Sequence, residues 1–261
     1  MGKLSSIEWT DHTWSPWWGC TKVSRGCKRC YAETLAKRTG FAIWGQDAGR
    51  RHLSSKHWEE PYKWNEEAGR KGVEYKVFPS MCDPFERRPD LDPLRRRFFD
   101  LIATTKNLQW LLLTKRPEEL ISYPRLPANA HLLATVEGNT VKERIDQLRN
   151  YRKLYHVAGR IYGLSIEPLV EYLDLSPSDL RGIDWAIVGG ETGAGAEPMR
   201  GSWAQAVLNA TKKSFSTSFF FKQWGDALPC DKPSFPHLEM VRDFPALLGP
   251  AVTKMEAKCQ K

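Results

Sequence analysis

Long apolar runs are missing from this chain. No stretch approaches the roughly 20 consecutive apolar residues that a helix needs to cross a bilayer, and the N-terminal MGKLSSIEWTDHTW has no apolar core of the kind a secretion signal carries. A cytoplasmic protein with no membrane partner is the expectation. Cysteine is sparse, six in 261 residues. That is too few for a disulfide scaffold, so in a reducing compartment a cluster of them reads as metal ligands or catalytic groups. Internal repeats, low-complexity tracts and long linkers are also missing, which excludes solenoids and strung-out domain arrays. Gly189-Gly190-Glu191-Thr192-Gly193-Ala194-Gly195 is glycine-rich, but no Walker lysine follows and the GxGxxG spacing is not met, which counts against a nucleoside triphosphate loop.

What is present suits a folded globular chain, with 41% hydrophobic and 27% charged residues. Lys and Arg outnumber Asp and Glu by 39 to 31, a formal net charge of +8, which suits a polyanionic partner such as DNA or RNA. The basic clusters (Arg50-Arg51, Arg87-Arg88, Arg95-Arg96-Arg97, Lys115-Arg116) are dispersed, as on any solvated surface.

Short runs rich in branched and aromatic residues recur at roughly 14–18, 76–80, 109–114, 131–136, 161–166, 184–189 and 218–223, and read as strands. Helical stretches fall at about 31–38, 92–105, 140–154 and 203–213, the second opening on Asp92-Pro93. Strand-helix alternation and near-continuous apolar runs such as Trp110-Leu111-Leu112-Leu113 predict an α/β fold with strands buried on both faces. The expected architecture is a partial or complete parallel (β/α) barrel of about six to seven units over residues 1–225. The stretch near 40–75 shows no clean period and reads as an insertion or cap. Pro229, Pro233, Pro236, Pro245 and Pro250 predict an irregular C-terminal extension over 226–261, wrapping the surface.

Cys20-x6-Cys27-x2-Cys30 follows the first expected strand and precedes the first helix, which in such a barrel is the C-terminal mouth where active sites gather. Three thiolates would hold a [4Fe–4S] cluster and leave one iron without a protein ligand, free to bind the amino and carboxylate groups of S-adenosylmethionine (SAM). A structural zinc with His12 or Cys82 as fourth ligand, in a non-catalytic nucleic-acid-binding protein, is the alternative; unliganded buried cysteines are another. Trp9, Trp14, Trp17 and Trp18 crowd before Cys20, either as a dry shell or as a stacking surface for bases.

Several motifs carry a resemblance: Ile7-Glu8-Trp9-Thr10, Trp14-Ser15-Pro16-Trp17-Trp18-Gly19-Cys20, Gly26-Cys27-x2-Cys30-Tyr31-Ala32, Phe78-x-Ser80-Met81-x-Asp83, Leu113-Thr114-Lys115-Arg116-Pro117-Glu118, Leu164-Ser165-Ile166-Glu167-Pro168-Leu169, Val188-Gly189-Gly190-Glu191 and Phe219-Phe220-Phe221-Lys222-Gln223-Trp224-Gly225. Together they resemble the phage-type three-cysteine family, a domain of unknown function related to radical SAM proteins, with a distant similarity to spore photoproduct lyase. The resemblance implies a radical SAM-like barrel, cysteines 20, 27 and 30 on the cluster, a 5'-deoxyadenosyl radical, a nucleobase or nucleic-acid substrate, and an electron donor such as a flavodoxin or ferredoxin.

The polar residues that end the expected strands then acquire candidate roles. Lys115 would pair with the SAM carboxylate, as a lysine does in spore photoproduct lyase. Ser80 and Asp83 would meet the amino group, Glu137 or Asn139 the ribose hydroxyls. Gly163-x3-Glu167 would lie near the adenine, and Glu191 and Lys222 on the substrate side. Cys82 is either a hydrogen-atom donor or a small buried residue. Each also has a plain reading as a loop residue that caps and solubilises.

Overall fold

The computed structural model describes residues 5–214, 216–253 and 255. In chain order the elements are β1 (His12–Thr13), β2 (Trp17–Trp18), α1 (Tyr31–Arg38), β3 (Arg51–His52), α2 (Ser55–Lys71), β4 (Tyr75–Phe78), α3 (Asp92–Thr104), β5 (Leu108–Thr114), β6 (Ala130–Thr135), α4 (Glu143–Leu154), β7 (Tyr162–Ile166), β8 (Trp185–Gly189), α5 (Gly201–Ser214) and β9 (Ser218–Gln223). Seven strands pair in the order β1-β4-β5-β6-β7-β8-β9, all parallel, in a curled half-barrel. β2 and β3 form a separate antiparallel pair. Among the described residues no helix is long and apolar enough to cross a membrane.

Alternation along each strand divides the apolar residues between two faces. Trp110, Leu112, Leu132, Ala134, Leu164 and Val188 face outward, under α2, α3, α4 and α5. Leu111, Leu133, Trp185, Ile187 and Phe220 face inward with Trp9 and Phe78 and fill the barrel interior. This double burial is why β6, β7 and β8 are buried at every position.

The first strand differs from expectation. Residues 14–18 do not form one barrel strand: β1 is His12–Thr13, and Trp17–Trp18 leaves the sheet to pair with Arg51–His52. Pro16 lies at the break, where it offers no amide to a ladder. The 40–75 stretch also differs, since α2 is a regular 17-residue helix packed on the barrel wall. Ser54 caps its start, accepting from the His57 amide at 3.4 Å, and Gly72 ends it in the left-handed region at φ 64. Trp58, Pro61, Trp64 and Ala68 make its buried stripe. Pro61 hides it from sequence reading, because a helix-interior proline lacks the amide that would bond the carbonyl four residues back. That carbonyl, on His57, accepts instead from the Trp14 indole at 3.0 Å.

The C-terminal extension is irregular, as its prolines predict, but it does more than wrap the surface. Leu238, Leu248 and Ala251 are buried. Phe220 of β9 bridges to Arg242, and the Thr253 amide donates to Asp11, just before β1, at 2.7 Å. The tail therefore runs between the two unpaired edges of the half-barrel. Residues 254 and 256–261 of the expected extension lie outside the described residues.

Candidate active site

The loop 20–30 crosses the C-terminal ends of the strands and lines a cavity of about 720 Å3, within the usual range of ligand sites. Cys20, Cys27 and Cys30 all line it, with Ser80 and Cys82 after β4, Lys115 after β5, Glu167 after β7, Glu191 after β8 and Lys222 in β9. Asp83 lines it too. Parallel strands in register bring these residues to one rim, although their positions span most of the chain.

Cation-carboxylate contacts fasten the cysteine loop to that rim. Ser24 donates to Glu137 at 2.6 Å, and the same carboxylate takes Lys115 at 2.6 Å and Arg144 at 2.9 Å. Gly26 is required beside it, because a Cβ there would stand 2.5 Å from the Glu137 Cγ. Burial would raise the Glu137 carboxyl; Lys115, Ser24 and Arg144 outweigh that and hold it below the ordinary carboxylate range. Arg116 reaches the loop from β5, donating to the Thr21 carbonyl at 2.6 Å and lying 3.8 Å from the Cys20 sulfur. Arg50, buried, bonds Thr21 Oγ1 at 2.8 Å and Glu86 at 2.6 Å, tying the 43–50 segment to the loop. Arg29, between Cys27 and Cys30, pairs with Glu191 at 2.8 Å and Glu197 at 3.1 Å.

These bonds decide how free each candidate residue is. Asp83 accepts from Phe85 N, Thr114 Oγ1, Lys115 N and Arg116 Nη1, so its oxygens are fully engaged. Glu137 does not line the cavity and acts behind Lys115. Asn139 is turned away: its Oδ1 accepts from the Asp174 amide at 2.8 Å on the exposed side. Glu167 accepts from Lys222 and, at 3.4 Å, from Gln223. The Ser80 hydroxyl faces the cavity with no bond among the described residues, while its carbonyl accepts from the Tyr31 hydroxyl at 2.7 Å. Burial pushes the Cys20 thiol up to about 12, with Asp83 adding and Arg116 opposing. Burial also raises Cys30 and, well above its usual value, Cys82.

Trp14 and Trp17 are core residues at 0% exposure, whereas Trp9 and Trp18 line the cavity. Sequence reading missed Ser24, Arg29, Arg50 and Arg144 as loop anchors. Only Arg116 carried a signal, as the neighbour of Lys115. His12, considered as a zinc ligand, does not line the cavity: its ring stacks on Trp64 at 4.2 Å.

Among the described residues no three His, Cys, Asp or Glu side chains form a ready metal cage. The donor set nevertheless fits a larger, thiolate-held group, since three cysteines of one loop line one cavity with Arg116 as counter-charge and no histidine in its lining.

The profile of the family described as "protein of unknown function (DUF5131)" matches residues 4–257. The chain belongs to that family. No curated protein matches this DUF5131 chain. Among solved structures, spore photoproduct lyase complexed with dinucleoside spore photoproduct aligns at 12% identity over 71% of this chain and 57% of that one, with a TM-score of 0.44. A cysteine-to-serine mutant of spore photoproduct lyase aligns at 13% identity over 78% and 62%, with a TM-score of 0.48. A chain described as a fructose-1,6-biphosphate aldolase from Coccidioides immitis aligns at 13% identity over 62% and 64%, with a TM-score of 0.40. The DUF5131 chain spans about three-fifths of the length of the lyase chains it matches.

Proposed function

We propose that this DUF5131 protein is a radical SAM enzyme, with Cys20, Cys27 and Cys30 holding a [4Fe–4S] cluster and SAM lying against the strand ends. The observation that carries the reading is the single cavity lined by all three cysteines of one loop and by the polar ends of β4, β5, β7, β8 and β9. Cluster and SAM would together supply a 5'-deoxyadenosyl radical by reductive cleavage of the sulfonium.

The chain's own residues account for binding and orientation. Lys115, fixed by Glu137 and facing the cavity, offers an ammonium to the SAM carboxylate. The Ser80 hydroxyl is free to meet the amino group. Asp83 acts through Arg116, which it aims at the cysteine loop. Glu167 and Lys222 form one ion pair at the rim and Glu191 another with Arg29, leaving this side to hold a polar substrate. Cys82 carries a transferable hydrogen atom on its sulfur, in the same cavity. The apolar lining from Trp9, Trp18, Phe78 and Leu113 keeps water from a reactive intermediate.

Anaerobic purification with iron and sulfide analysis, followed by incubation with SAM and a reductant, tests the reading. Roughly four irons per chain and release of 5'-deoxyadenosine are expected, and Cys27→Ala should lose the iron. Stoichiometric zinc without iron, and no SAM cleavage after reconstitution, would overturn it.

A further inference from the structure

A second cavity of about 540 Å3 lies beside the mouth, between α1 and the 192–194 turn. Both cavities are lined by Arg29, Cys30, Tyr31 and Leu35, so they adjoin as one cleft. The second is basic, with Lys22, Lys28, Arg29, Lys37 and Arg38 set against Glu33 and Asp226. Both carboxylates are already engaged. Glu33 is shared between Lys22 at 2.6 Å and Lys37 at 2.7 Å, and Asp226 accepts from the Gly193 amide at 2.7 Å. Lys28 and Arg38 are exposed and have no ion pair among the described residues. Their charge is available to an outside anion.

Three amides in and after the glycine-rich turn are already engaged. The Gly193 amide is on Asp226, the Ala196 amide donates to the Gly193 carbonyl at 3.1 Å, and the Glu197 amide to Glu191 at 2.9 Å. The positive charge for recognition comes from the side chains of α1 and the loop before it. At the junction of the two cavities Tyr31 is 49% exposed, yet its hydroxyl is anchored on the Ser80 carbonyl. The ring is thus held in place while the residue stays about half-exposed. Leu35 and Val23, also exposed, extend the apolar surface around it.

A basic cleft that leads past an anchored, half-exposed aromatic ring into an apolar mouth matches the two halves of a nucleotide chain, phosphates for the cations and bases for the ring. We propose that single-stranded nucleic acid runs through this cleft, with phosphodiesters against Lys28 and Arg38 and a base on Tyr31 at the entrance to the mouth. The proposal rests on the mouth being the reactive site, but binding in the cleft needs neither reductant nor SAM.

Fluorescence anisotropy of a labelled single-stranded oligonucleotide of about 12 nucleotides, titrated with the full chain over a salt series, tests it. Each lost phosphate contact lowers the log–log salt slope by about 0.7, so Lys28→Gln with Arg38→Gln should flatten it by about 1.4 and weaken binding about tenfold. Tyr31→Ala should weaken it about tenfold more through lost stacking, while Tyr31→Phe, which keeps the ring but loses its anchor on the Ser80 carbonyl, should fall between Tyr31→Ala and wild type. Lys212→Gln with Lys213→Gln, exposed at the end of α5, is the control and should change nothing.

A double variant at 28 and 38 that keeps wild-type affinity and salt slope would overturn the proposal. So would a free mononucleotide that competes as well as the oligonucleotide. If that double variant binds the oligonucleotide normally but is reduced more slowly by flavodoxin at low salt, the face belongs to an acidic electron carrier and the proposal falls. Because binding is read without reductant or SAM, its outcome is separable from that of the iron and SAM-cleavage experiment.

Discussion

At the scale of single residues, Glu137 does the most to join the parts of the site. One buried carboxylate holds Ser24 of the cysteine loop, the Lys115 ammonium and Arg144 of α4. Glu137→Ala would leave two cations without their partner, and breaking such a buried pair costs about 3–5 kcal/mol, measurable by urea denaturation. Iron loading on anaerobic reconstitution should fall with it, and SAM affinity should fall more than the rate of cleavage at saturating SAM. Since the folded Glu137 titrates below its ordinary value of 4.5, its stabilisation is present above that pH and is lost as pH falls through the lower folded value. Glu137→Gln should therefore remove part of the acid destabilisation expected of the wild type below about pH 4.5. The residue itself was legible as a polar strand end. Its bond to Ser24, 113 positions away, was not, because nothing local records which loop will fold over which strand.

At the scale of elements, α2 shows how a local rule and its tertiary exception are linked. Proline in a helix interior leaves a carbonyl without its amide, and here the Trp14 indole fills the vacancy on His57 while its ring stacks on the His57 imidazole at 4.8 Å. A double-mutant cycle isolates that compensation. Trp14→Phe should destabilise more in the presence of Pro61 than beside Pro61→Ala, where the restored amide bonds the His57 carbonyl. The expected coupling is about 0.5–1.5 kcal/mol, the net worth of one hydrogen bond. Equal costs in both backgrounds would show that the indole contributes packing alone. The buried positions 58, 61, 64 and 68 already carried the helical spacing, but Pro61 and the surrounding charges masked it. By contrast α1, α3, α4 and α5 and six of the seven barrel strands were legible within a few residues, since their periods and punctuation are local. The seventh, β1, is only two residues long and depends on pairing with β4.

At the scale of the whole molecule, stability should depend on pH through a group far from the mouth. His131 of β6 is 3% exposed, accepts the Ile161 amide on Nδ1 at 3.0 Å and meets Gln109 Oε1 through Nε2 at 2.8 Å. The Nδ1 bond calls for the neutral ring with its proton on Nε2, since a protonated Nδ1 could no longer accept. Burial foremost, with Arg160 and Lys76 adding, lowers it from 6.5 to about 4. The unfolded chain therefore takes up this proton first, and the stability present above 6.5 is lost as pH falls towards 4. Urea denaturation at pH 7 and pH 5 should differ by about 2 kcal/mol from this residue alone, and His131→Gln should flatten the difference. The sequence by itself determined the alternation of strands and helices, the double burial of the sheet and the spacing of Cys20, Cys27 and Cys30, because period and spacing are carried by near neighbours. Only the tertiary structure decided which anchors hold the cysteine loop, which strand-end residues remain free to bind, and that a basic groove on α1 leads past Tyr31 into the mouth, since those contacts join residues that parallel pairing brings together from distant parts of the chain.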